Sequence, residues 1–237
     1  MTSRPAFFPI LNGVGVDDTH VFEFTWHPGF AFSQKQRNVT ALHDSIRALN
    51  PKSRPLEVSS KSFDEVGVRL SAFNLSILYK GVRCTVESIF QASKVFEKSG
   101  PFPELYSHDS REVRAFVREN MKGNLIAFEA NGIRWSLNPT RSFYDWVYLK
   151  ALEQNPDLAE AVMQYDCFTD IEFNPKKSLN CQAYAVALYL SLHNAGVLEE
   201  ALSSKESFVR FHPADVVKVG VGENVKQTVL QQATFEF

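Results

Sequence analysis

The chain has 237 residues, the upper range for one domain, with 25 basic and 27 acidic side chains and a formal charge of −2. That balance argues weakly against a general nucleic-acid binder while leaving room for a local basic patch. Cys84, Cys167 and Cys181 form no CxxC pair and the six histidines are scattered, so a disulfide framework and a structural zinc are not expected.

The N-terminus lacks a long apolar core, and the longest apolar run, Ala183–Leu192, is interrupted by Ser191 and too short to span a bilayer, so a cytoplasmic protein with no membrane contact is expected. Residues 1–20 hold little beyond Gly13-Val-Gly15, a fragment of a glycine fingerprint without its third glycine, and read as an N-terminal extension. Val21–Trp26 alternates loosely as a strand and is broken by His27-Pro28-Gly29. Gln36–Leu49 has the spacing of a helix, with Ala41, Leu42, Ser45, Ile46 and Leu49 on one side. Around it Lys35, Arg37, Arg47, Lys52 and Arg54 face a single acid, Asp44, which fits either a solvated helix face or a surface that tracks phosphates. Leu56–Ser59 reads as a short strand leading into the polar turn Ser59-Ser60-Lys61-Ser62. Two further strands are expected near Ser71–Leu75 and Ser76–Tyr79, with a turn at Lys80-Gly81.

Thr85–Phe96 holds neither Gly nor Pro, and Val86, Ile89, Phe90, Ser93 and Phe96 recur at helical spacing behind Thr85 as N-cap. The same reading puts Glu87, Gln91 and Lys94 on one narrow stripe. A carboxylate, an amide and an amine are costly to bury unless paired or used; otherwise the stripe is simply solvated. Ser99-Gly100-Pro101 ends the segment. A helix over Ser110–Glu119, capped by Ser110, precedes a hairpin of Leu125–Glu129 and Ile133–Leu137 around Asn131-Gly132. Helices follow at Ser142–Gln154, at Asp157–Gln164 behind Pro156, and at Cys181–Asn194 with Gly196 as its stop. Residues from Val216 onward alternate as two strands or a strap.

The polar segment 168–180 feeds the Cys181 helix, whose start can hold a phosphate or be capped by Ser178 or Asn180. Lys176 and Lys177 would add charge there, and Asn174, Ser178 and Asn180 can hydrogen-bond a ribose or phosphate. Asp170 and Glu172 suit sugar hydroxyls or proton transfer instead. Phe143, Tyr144 and Trp146 fit either the core or stacking on a base. No G-x-S-x-G, HExxH or Walker loop supports a serine hydrolase, a zinc protease or a P-loop protein.

Leu70-Ser-Ala-Phe-Asn-Leu75, Val86-Glu-Ser-Ile-Phe-Gln-Ala-Ser-Lys-Val-Phe96 and the Asp170 loop running into Asn180 occur in the order of the NADAR superfamily, which the chain resembles. The runs Phe24–Phe30, Leu56–Ser62, Phe143–Tyr148 and Phe168–Pro175 are similar to the branch of NADAR antitoxins associated with DarT-type toxins. The resemblance covers about residues 20–202 and implies an α+β fold, mainly helical with small antiparallel strands. The expected organisation is an N-terminal extension over 1–20, a catalytic domain over 21–202 and an appendage over 203–237.

By the same resemblance Glu87, Lys94 and Asp170 are the catalytic residues. Ser71, Phe73, Asn74, Gln91, Trp146, Asn174, Lys177, Asn180, Lys61 and Trp26 would bind the ligand, and Lys35, Arg37, Arg47, Lys52 and Arg54 would touch DNA. Where compact NADAR proteins outside this branch carry a Trp upstream of the helix near Phe143, this chain has Thr140, with Trp146 and Trp135 as the available indoles. The implied activity removes ADP-ribose from guanine in DNA, with ADP-ribose as product, in functional pairing with a DarT-type toxin and without a cofactor; a guanine amino group engaged in pairing is hard to reach, so single-stranded substrate is the easier case. An N-glycosidase acting on a riboflavin-type metabolite and a non-catalytic ADP-ribose reader are the alternatives.

Overall fold

The computed structural model describes residues 1–139, 141–175, 178 and 180–212. The chain begins with β1 (Thr2–Pro5), β2 (Phe8–Pro9), β3 (Val16–Asp17) and β4 (Val21–Phe24), pairing antiparallel as β1 with β4 and β2 with β3. The stretch expected to be an extension is therefore built into the body. Phe7 is buried and exchanges backbone hydrogen bonds of 2.9 Å with Phe168. Gly13 and Gly15 form a loop clipped to the last long helix, where the buried Ser191 hydroxyl accepts from the Gly15 N–H at 2.9 Å.

Helix α1 (Phe32–Leu49) starts a turn earlier than its apolar spacing marks, and its Asn38 amide exchanges two hydrogen bonds with the His27 backbone. Next come β5 (Pro55–Glu57), the Ser59–Ser62 turn and a short α2 (Glu65–Arg69) that the sequence did not announce. Ser71–Asn74 is a turn rather than the expected strand. The hairpin β6 (Ser76–Tyr79) and β7 (Val82–Thr85) closes through Lys80 and Gly81, both at positive φ as a tight two-residue turn requires.

Helix α3 (Val86–Ala92) is capped by the Thr85 hydroxyl, which accepts from the Ser88 N–H. It is shorter than the expected Thr85–Phe96 helix. Lys94–Phe96 forms β8, the edge of a three-stranded sheet with β9 (Leu125–Ala130) and β10 (Ile133–Trp135). The reason is visible in burial: Val95 and Phe96 are both buried, which an extended segment laid on β9 satisfies better than one helical face does. Helix α4 (Ser110–Asn120) is capped by Asp109, not Ser110; the Ser110 side chain turns inward onto Thr85 and Ser88.

Helices α5 (Ser142–Glu153), α6 (Pro156–Val162), α7 (Gln182–Asn194), α8 (Leu198–Ala201) and α9 (Lys205–Phe211) complete the body, with β11 (Cys167–Thr169) between α6 and α7. β11 lies parallel to β5, an exception to the otherwise antiparallel pairings. Residues 182–192 of α7 are buried on every face, so this helix is the axis of the core, with α5 laid against it and α3 against α5. A second cluster of Ala6, Phe22, Phe24, Val39, Leu42, Ile46, Cys167 and Ile171 fills the space between α1 and the N-terminal strands. The strands expected beyond Val216 lie outside the described residues. No described helix is long and apolar enough to cross a membrane.

Candidate active site

A cleft of about 740 Å³ opens between α3, α4, the Ser59–Lys61 turn, the Ser71–Asn74 turn and the residues Asp170, Glu172, Phe173, Asn174, Ser178 and Asn180. Its floor is set by backbone bonds. The Glu87 N–H donates to the Ala72 carbonyl at 2.9 Å, and the Ala72 N–H donates to the Gln182 side-chain oxygen at 2.8 Å. The first residues of α3 and α7 are thereby tied to one turn. Glu87, Gln91, Asp170, Ser71, Phe73, Asn74, Asn174, Asn180 and Lys61 all line this cleft.

Glu87, Gln91 and Lys94 form a continuous relay even though Lys94 is no longer helical. The Gln91 Nε2 donates to Glu87 Oε1 at 2.9 Å, and the Lys94 Nζ donates to Gln91 Oε1 at 2.7 Å. An ammonium only donates and a carboxylate only accepts, so the amide between them has one permitted orientation. Lys94 stands just behind the cleft wall with its Nζ 5.2 Å from the centre of the Phe90 ring. Burial pulls its amine down to about 8, against the Glu87 carboxylate, which pulls up, and with help from the Arg114 cation. The Arg114 Nε lies 3.5 Å from Glu87 Oε1, and its guanidinium sits 5.8 Å from the Phe73 ring.

Across the cleft Asp170 is held by its own loop. Its Oδ1 accepts from the Glu172 N–H at 3.0 Å and the Phe173 N–H at 3.2 Å, while Ile171 is anchored in the second core cluster. Burial, followed by the neighbouring Glu57, raises the Asp170 carboxyl well above its usual range despite those two donors. Glu57 is fully enclosed. It accepts from the Ser59 hydroxyl at 2.6 Å, the Thr169 hydroxyl at 2.7 Å and the Ile171 N–H at 2.9 Å. Burial still pushes it up to about 7. The Thr169 oxygen also meets the His43 Nε2 at 2.9 Å; since Thr169 donates to Glu57, the imidazole donates here.

The remaining sequence-marked residues lie elsewhere. Trp146 packs on the buried Trp135 with ring centres 5.3 Å apart, and neither indole lines the cleft; Thr140 and Lys177 lie outside the described residues. Trp26 sits beside the acidic loop, 5.3 Å from the Arg4 guanidinium and 5.8 Å from the Lys35 ammonium. Lys35 pairs with Glu172 at 2.9 Å, so it braces that loop. Arg47 and Arg54 line a second pocket, whereas Arg37 and Lys52 are exposed outside both cavities. The start of α7 has no side-chain cap: the Ser178 hydroxyl donates to the Asn180 carbonyl instead.

Sequence reasoning missed Arg114, Glu57 and Gln182 as neighbours of the site. Arg114 sits 27 positions from its partner Glu87, on another helix, with no local signal. Glu57 did carry one: a lone acid inside an apolar run, in a segment whose neighbours are all buried.

The α+β body thus sets a partly buried carboxylate–amide–amine relay opposite a second, raised carboxyl across one cleft. A family model described as DarT1-associated NADAR antitoxin matches residues 2–219, and the chain belongs to that family. The match includes the first strands, in keeping with their place in the core. No curated protein matches the chain.

Proposed function

We propose that the protein is a hydrolase that releases ADP-ribose from guanine in DNA and so reverses the modification made by a DNA ADP-ribosyltransferase toxin. The observation that carries this reading is the meeting of Glu87, Gln91 and Asp170 on one cleft roomy enough for a nucleotide sugar, with Lys94 hydrogen-bonded to Gln91 behind its wall. Membership among toxin-associated antitoxins supports the substrate class.

The bond to be cut joins C1″ of ribose to an exocyclic amine. Asp170, kept protonated by burial and by Glu57, hands a proton to the ribose ring oxygen as the ring opens, leaving an iminium carbon. With its amine brought down to about 8, Lys94 supplies a neutral nucleophile that adds to that carbon once ligand entry loosens its bond to Gln91. Guanine departs with a proton delivered through Glu87, and water releases the sugar from the resulting Schiff base. Arg114 and the uncapped start of α7, with Asn174 and Asn180, would hold phosphates.

The test is release of ADP-ribose from guanine-modified single-stranded DNA. Glu87→Ala should fold, because Glu87 is only partly buried, and should lose turnover by at least about 100-fold, as removal of a proton-transfer group typically does. Parental turnover in that variant overturns the assignment. Borohydride treatment with ADP-ribose should leave an adduct on Lys94. Substantial activity in Lys94→Ala, with no adduct, removes the covalent step. Equal or faster turnover of a riboflavin-type glycoside points to a metabolite enzyme, and binding of ADP-ribose without release points to a reader.

A further inference from the structure

The second pocket, about 440 Å³, is separated from the cleft by a single turn: Ser59, Ser60 and Lys61 line the cleft, and Ser62, Phe63 and Asp64 line the pocket. The surface over that turn alternates exposed aromatic rings with cations. Phe32 is 51% exposed and Phe63 66%, beside Phe30 at 96%. The Lys61 ammonium stands 5.4 Å from the Phe32 ring. Beyond Phe63 the pocket carries Arg47 and Arg54 over a wall of Val39, Pro55 and Leu56.

The acids around this pocket are already engaged. Asp64 caps α2 and accepts from the Tyr165 hydroxyl, and Glu57 is closed in by three donors; Asp44, outside the pocket lining, leaves Arg47 loosely paired at 3.8 Å. The face they leave is apolar rings flanked by guanidinium and ammonium groups. Every base has a flat face to stack and every linkage a phosphate, so this pattern suits a single strand better than a folded protein surface or a lone small molecule.

We infer that the strand flanking the modified guanine leaves the cleft over the Ser59–Asp64 turn, stacks on Phe32 and Phe63, and sets its phosphates on Lys61, Arg47 and Arg54. This rests on the proposed hydrolase reading, and it names how that site would take a polymer rather than a nucleoside. No base edge is read along the track, so binding is indifferent to sequence and weakens with salt.

The first measurement uses no chemistry: anisotropy of a labelled, unmodified thymidine oligomer of about 10 nucleotides. The parent protein binds it, and Phe63→Ala and the pair Arg47→Glu with Arg54→Glu each weaken binding by about tenfold, in line with the loss of one stacked base or a phosphate contact. These side chains are exposed, so circular dichroism and melting should match the parent. The second measurement compares kcat/KM on an ADP-ribosylated oligomer with that on ADP-ribosyl-guanosine. The parent prefers the strand, and in both variants the preference falls by the same tenfold factor. Parental strand binding in the variants, or no preference in the parent, overturns the track. If strand binding fails in the variants while no substrate is turned over by the parent, the track stands and the hydrolase reading falls.

Discussion

Glu57 and Asp170 are two enclosed carboxyls on neighbouring strands of one parallel pair and its extension; burial raises both, and the Glu57 charge further disfavours ionisation of Asp170. Glu57 does not line the cleft; it acts through Ile171 and Thr169, which it holds on either side of Asp170. Replacing it with an uncharged isostere removes a like charge and keeps the oxygen that accepts from Ile171. In Glu57→Gln, Asp170 should therefore lose its proton at lower pH, and the basic limb of the kcat profile should move down. The rising limb, which the proposed mechanism assigns to the Lys94 amine brought down to about 8, should stay in place. Glu57→Ala, which removes the hydrogen bonds as well, should lower kcat at every pH. A Glu57→Gln profile identical to the parent's would show that the buried charge does not tune Asp170.

Helix α2 is only five residues long, yet it fixes the turn that separates the two cavities. Gly67 makes this possible. A Cβ there would stand 2.0 Å from the Glu57 carbonyl oxygen and 2.4 Å from the Ser62 hydroxyl, so α2 could not lie against β5 and the turn at once. Gly67→Ala should cost about 1–3 kcal/mol in urea unfolding, as overpacking in a filled core does, and should lower turnover by displacing Lys61. Unchanged stability would mean that α2 can shift without cost. At the same scale, α3 ends where it does because Ser93 at its C-cap returns the chain to β9: the Glu129 N–H donates to the Ser93 carbonyl at 2.8 Å. That early stop leaves Lys94 extended and folds its long side chain back over Phe90 onto Gln91.

At the scale of the whole molecule, the β5–β11 pair joins the two core clusters, and titratable groups are sealed along it. His43 is buried between Thr169 and Arg47, and burial lowers it to about 3. The folded state thus binds fewer protons at this site than the unfolded chain between pH 6.5 and about 3, so its stability falls as pH drops through that window. The loss approaches about 5 kcal/mol at the acid end, a large part of the margin of an ordinary domain. Glu57 and Asp170 act in the opposite sense. Their folded forms hold protons that the unfolded chain releases above its carboxylate range, so their contribution is lost as pH rises. Because these carboxyls offset His43 over the same range, its effect is read as a difference: between pH 6.5 and pH 4 the Tm of the parent should fall relative to that of His43→Gln, which keeps a donor for Thr169. An equal drop in both would assign the acid lability elsewhere.

What the sequence determined by itself is local. The Asn131-Gly132 and Lys80-Gly81 turns, the Thr85 cap, and the helices α5 and α7 follow from φ preference, capping and unbroken apolar runs, each settled within a few residues. The residue types at 87, 91, 94 and 170 also marked the cleft, because polar groups among buried neighbours are unfavourable without a use. What only the tertiary structure decided is long-range. Helical spacing carried the reading of α3 past Ala92, and the partner strand β9, about thirty residues on, overrode it. The first strands looked like an extension because their partners, β4 and Phe168, are distant in sequence. Arg114 reaches Glu87 only when α4 docks on α3, and Glu57 reaches the Asp170 loop only when β5 and β11 pair in parallel. Such pairings rest on the loop-closure entropy and burial of the assembled chain, which no short window of sequence contains.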